Sequence, residues 1–145
     1  MQITLALNLP RDELSVPVAR RLVDASMRTV GVAEGVVDDV TLALSEACTN
    51  VLQHSGPGDE YEVTVRICDT TCAIEVRDLG RGFDAAAQRI KDVLPEDERG
   101  RGVALMRVLV DRVDFRADDG SGNVVVMEKA LDYVDGSLLD RAARS

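Results

Sequence analysis

Glu46, Asn50 and His54 stand four residues apart within "TLALSEACTNVLQHS", residues 41–55. On a helix that spacing stacks a carboxylate, an amide and an imidazole into one stripe. These groups exchange protons and accept or donate hydrogen bonds, so together they could work on a bound ligand. A solvated helix face accounts equally well for any one of them. The stripe becomes chemical only if other segments bring ligand-binding groups to it.

Two segments qualify. Asp78 closes an alternating run directly before Gly80 and Gly82 in "DLGRGFD", at a turn where backbone can approach a ligand closely. A buried carboxylate needs a hydrogen-bond donor, and the exocyclic amine of adenine is one of suitable size. A plain Asp-x-Gly turn explains the same residues. "RGRG" at 99–102 supplies glycine just before a predicted helix start, which suits phosphate binding or, equally, a loop with an N-cap glycine. "GRGFDA" at 80–85 also fits the loose dinucleotide pattern G-x-G-x-x-G/A. Its context fails: a Rossmann unit needs a helix and then a parallel strand, and "AAQRIKDVLPEDERG" follows instead.

The elements that must position these residues follow from periodicity. "QITLALNL" alternates as a strand that Pro10 ends, and apolar residues at Leu14, Val18, Leu22, Val23, Met27 and Val30 predict a helix over 12–30, stopped by Gly31. A second helix is predicted over 34–54, with Val36, Val37, Val40, Leu44, Ala47, Cys48 and Val51 on one face. "EYEVTVRIC" and "CAIEVRD" form a hairpin, "VALMRVLVD" a short helix, and "RVDFRAD" with "GNVVVMEKAL" a closing pair of strands. Hairpins make the sheet largely antiparallel. The expected fold is therefore a two-layer α/β sandwich, a mixed, mostly antiparallel sheet with helices on one face. Residues 1–131 form the domain; the order of the tail at 132–145 is left open.

Composition removes several functions. Two Phe, two Tyr and no Trp leave an aliphatic core and few stacking platforms, and a net charge of -9 opposes direct nucleic-acid binding. The N-terminus lacks a signal-peptide pattern, and no segment approaches the roughly 20 apolar residues of a membrane span. Cys48, Cys68 and Cys72 are odd in number; Cys48 sits in a predicted buried helix, and the pair Cys68 and Cys72 with a single His falls short of the four soft ligands of a zinc site. They read as reduced residues of a cytoplasmic protein.

Taken together and in order, the helix with Glu46 and Asn50, the Asp78-x-Gly80-x-Gly82 turn and Gly100-x-Gly102 before a helix resemble the ATP-binding superfamily of gyrase, Hsp90, histidine kinases and MutL. The phrases "LALSEACTNVLQHS" and "GRGVALM" resemble most the anti-sigma-factor serine/threonine kinases of bacterial partner switches. The resemblance spans roughly residues 40–130 and implies a Bergerat-type ATP-binding fold. It implies that Asn50 ligates Mg²⁺, that Glu46 is the general base, and that Asp78 reads adenine with Gly80 and Gly82 clearing room for the ring. It further implies a lid over 84–99 and phosphate binding by Gly100, Arg101 and Gly102, with Arg99 or Arg101 neutralising charge. His54 matches a position near the nucleotide, where capping or packing serves as well as ligand contact. The partners implied are a sigma factor, an anti-sigma antagonist that is phosphorylated, and a second copy of the chain in a homodimer, with no membrane or direct nucleic acid. A non-catalytic binding module that sequesters a sigma factor or antagonist, with or without ATP, is the other reading. The presence of both Glu46 and Asn50 favours the kinase.

Overall fold

The structure, a computed structural model, describes residues 1–54, 60–78, 96–118 and 122–144; the side chains of 54, 96–101, 117, 118 and 122 lie outside that description. Five strands, β1 (Ile3–Pro10), β2 (Glu60–Ile67), β3 (Thr71–Asp78), β4 (Arg112–Asp118) and β5 (Gly122–Ala130), form one sheet in the order β1-β2-β3-β5-β4. Every neighbouring pair in it is antiparallel, so the mixed character expected from the sequence is absent among the described strands. Among the described residues, three helices, α1 (Ser15–Val30), α2 (Glu34–His54) and α3 (Glu96–Leu109), and a short α4 (Leu138–Arg144) accompany the sheet. None of the described helices is long and apolar enough to cross a membrane.

Period-two alternation decides what faces the helices. The register aligns Leu7 with Val63, Val76 and Val125, and Leu5 with Val65, Ile74 and Met127. These rows form the sheet side of the core, fully buried on β2 and β3. The row at one end of that face runs Leu9, Tyr61, Asp78. Parity therefore turns Asp78 inward, where the rows beside it carry only apolar side chains.

Over the sheet lies α2, whose Val36, Val37, Val40, Leu44, Ala47, Cys48 and Val51 are all buried, as its periodicity predicts. For α1 the inner stripe is Ala19, Val23, Met27 and Val30; Leu14, Val18 and Leu22 share an i, i+4 row that faces outward, 74%, 46% and 43% exposed. The two rows are neighbours on the helix surface. Gly31 ends α1 at φ 102°, and a Cβ there would stand 2.1 Å from that of Ser137. The turn it makes is tied down by the segment after β5: Ala33 donates to the Asp132 carbonyl (2.8 Å) and Val134 to that of Gly31 (2.8 Å). Leu139 of α4 is fully buried, so this part of the tail joins the core.

Candidate active site

The stripe that opens the sequence argument lies on the C-terminal half of α2. Ala47, Cys48 and Val51 turn into the core, which leaves Glu46 and Asn50 half-buried on the flank. That flank is where α3 packs. A Cβ on Gly102 would stand 3.2 Å from Oε2 of Glu46, so the absence of a side chain lets the α3 backbone come up to the carboxylate. The structure thus brings Glu46 and Gly102 together, from positions far apart in the chain. Asn50 lies one turn along the same helix.

Gly100, Arg101 and Gly102 lie inside α3, not in a loop before it, because the helix begins at Glu96. Glu96, Asp97 and Glu98 suit the positive end of a helix dipole, which explains the earlier start. Two glycines in its first half cost about 1 kcal/mol each relative to alanine, so this end of α3 is intrinsically weak. Gly80, Gly82 and the expected lid up to residue 95 lie outside the described residues, as do the side chains of His54, Arg99 and Arg101.

Asp78, the last residue of β3, is met by a partner the sequence reading did not include. Nη2 of Arg11 pairs with Oδ1 of Asp78, and the two side chains are only 3% and 4% exposed. Nη1 of Arg11 also donates to the Val51 carbonyl at 3.5 Å, in the last turn of α2. Arg11 thus joins the end of β1, the end of β3 and the end of α2. The donor that a buried Asp78 requires comes, for one oxygen, from the chain itself, whereas the sequence argument drew it from adenine. The only sequence signal was a charge directly after the strand-ending proline in "LPRDE".

Beside this pair lies a second polar cluster. The Tyr61 hydroxyl is 2.5 Å from Ser15 Oγ, which donates to the Asp12 carbonyl at 2.6 Å. Burial pushes the Cys48 thiol up to about 12, the Tyr61 hydroxyl up to about 12 and the Cys72 thiol up to about 12. All three stay protonated near neutrality, so neither buried thiol is a free thiolate nucleophile there. The three cysteines are unpaired, and no group of three or more metal-ligating side chains occurs among the described residues.

A half-buried carboxylate thus stands against a glycine, with an inward-turned aspartate at a strand end. Residues 9–129 match the family described as the histidine kinase-like ATPase domain. The chain belongs to this family. Among its curated relatives, the serine-protein kinase RsbW of Halalkalibacterium halodurans is 30% identical over 93% of this chain and 89% of its own length. RsbW of Bacillus subtilis is 30% identical over 92% and 88%. The anti-sigma F factor of Pasteuria penetrans is 38% identical over 64% of this chain and 67% of its own. Solved structures share the fold: the RsbU and RsbW domains of a Mycobacterium tuberculosis protein superpose with a TM-score of 0.68 at 16% identity, over 89% of this chain and 32% of that one. The SiaB–SiaC complex of Pseudomonas aeruginosa gives 0.56 at 12% identity, over 87% and 88%. Serine-protein kinase and anti-sigma factor are the activities these curated relatives carry in their names.

Proposed function

We propose that this chain is a cytoplasmic anti-sigma factor with ATP-dependent serine/threonine kinase activity toward an antagonist protein. The observation that carries the reading is Glu46, a half-buried carboxylate on α2 against the side-chain-free face of Gly102, in a chain whose relatives are named serine-protein kinases. A module that only binds has no chemical need for a carboxylate kept accessible beside an amide.

The residues fit a magnesium nucleotide. Asn50 offers an amide oxygen of the kind hard cations take, and Mg²⁺ keeps waters alongside such a ligand. When bound, the ion offsets phosphate charge. Asp78, turned inward at the end of β3, would read the adenine amine, and Gly100 to Gly102 would hold the phosphates. Glu46 accepts the proton of the incoming serine or threonine hydroxyl. The hydroxyl oxygen then bonds to the γ-phosphorus as its bond to the β–γ bridging oxygen breaks, and ADP leaves.

A switch of this kind holds its sigma factor and releases it to the antagonist, so the two complexes are mutually exclusive. The net charge of -9 suits a basic patch on the partner. The test is size-exclusion chromatography of the sigma complex challenged with each antagonist form. Unphosphorylated antagonist displaces sigma; phosphorylated antagonist, carrying about two added negative charges, does not. Equal displacement by both forms, or binding of neither, contradicts the partner switch.

A further inference from the structure

Arg11 is costly as a mere strut. Its guanidinium is buried to 3% exposure, and Nε is buried without a hydrogen-bond partner among the described residues. An orphaned donor on a buried cation is unfavourable, and apolar side chains of similar volume commonly replace a buried ion pair without loss of stability. The position is nevertheless closely built. Asp12 N–H donates to the Pro10 carbonyl (2.8 Å), Leu14 N–H to Asp12 Oδ1 (2.9 Å) and Ser15 Oγ to the Asp12 carbonyl (2.6 Å), so Arg11 leaves a pinned turn. From there its planar fork reaches Oδ1 of Asp78 with one nitrogen and the Val51 carbonyl with another.

A carboxylate paired at one oxygen with a guanidinium that is itself anchored to a backbone carbonyl has less freedom to turn, which narrows the directions in which it accepts other donors. A carboxylate also offers about four lone-pair sites, so a guanidinium on Oδ1 leaves capacity for further donors. We infer that Arg11 is a positioning residue for base recognition, aiming the Asp78 carboxylate so that a purine bearing the exocyclic amine is preferred over one that lacks it. This rests on the reading of Asp78 as the adenine contact. Arg11 itself touches neither the reacting atoms nor, on this assignment, the base. Lysine is a poor substitute, because a single ammonium cannot span the carboxylate and the Val51 carbonyl in one plane.

The test uses calorimetric binding of ATP and of inosine triphosphate, whose base carries a carbonyl where adenine carries the amine. The full chain is compared with Asp78→Asn, Arg11→Lys, Arg11→Met and the double variant Arg11→Lys/Asp78→Asn, with thermal melting to follow the fold. The wild type prefers ATP by about tenfold or more, the size of one charge-assisted hydrogen bond. Asp78→Asn loses that preference. Arg11→Lys and Arg11→Met lower it by at least about threefold, and Arg11→Lys has no further effect on it in the Asp78→Asn background. If Arg11→Met does not fold, the lysine variant, which keeps the cation, decides alone. A strut weakens both nucleotides by the same factor; that result, or an unchanged preference in Arg11→Lys beside its loss in Asp78→Asn, overturns the inference while leaving the adenine reading intact. A full preference kept by Asp78→Asn, or none in the wild type, overturns the adenine reading and the inference with it.

Discussion

Glu46 and Asn50 sit half-open on the flank of α2, while Asp78 at the end of β3 is 4% exposed and paired with Arg11. Both regions place polar side chains on elements whose other faces make the core. On α2 the polar stripe lies beside the buried one, so Glu46 and Asn50 stay accessible without disturbing the packing of Ala47, Cys48 and Val51. On β3 strand parity leaves no such freedom: residue 78 must face inward, and its charge is tolerable only with a partner. A side chain beside the core can be altered at little structural cost. A charge inside it cannot.

The largest difference appears on truncating each region. Asp78→Ala leaves the Arg11 guanidinium buried without its carboxylate and destabilises by about 3–5 kcal/mol, measured by denaturant unfolding. Asn50→Ala stays within about 0.5 kcal/mol of wild type on the same measurement, yet loses the Mg²⁺-dependent part of ATP binding. Equal losses of stability would erase the distinction between the regions. Gly102→Ala sharpens it. Alanine strengthens a helix interior by about 1 kcal/mol, but its Cβ at 3.2 Å crowds Oε2 of Glu46, so phosphoryl transfer slows while the melting temperature holds or rises.

Tyr61→Phe tests the buried side more gently. Removing the hydroxyl that meets Ser15 costs about 1 kcal/mol, and transfer chemistry continues. The remaining effect is alkaline. Cys48 and Cys72 shift from 9.0 to about 12, and Tyr61 from 10.0 to about 12, each through burial. A raised folded value means stability is complete below the unfolded value and is lost as pH climbs toward the folded one. The melting temperature therefore holds up to about pH 9 and declines above it; a flat profile to pH 11 contradicts the burial of these groups.

Periodicity made much of this legible. The Glu46–Asn50 stripe, the inward face of α2 and the strands of both hairpins repeat at 3.6 or 2 residues, and such signals survive without knowledge of tertiary contacts. Arg11 did not show itself, because its partner lies 67 residues away and a single charge after a strand carries no period. The start of α3 was misplaced because glycine reads locally as a breaker, while here packing against Glu46 uses the glycine inside a helix. On α1 two adjacent apolar rows, Leu14–Val18–Leu22 and Ala19–Val23–Met27, compete at the same spacing, and only the fold selects the inner one.

The most direct test of Glu46 as the proton acceptor is mass-spectrometric measurement of ATP-dependent phosphorylation of proteins co-purifying with the chain, wild type against Glu46→Ala, with ATP affinity measured on the same samples. Wild type transfers phosphate to a serine or threonine; Glu46→Ala binds ATP with unchanged affinity and transfers it about 10²–10⁴-fold more slowly. Transfer by Glu46→Ala at the wild-type rate would contradict the assignment of the base, and no phosphorylation by the wild type would contradict the kinase itself.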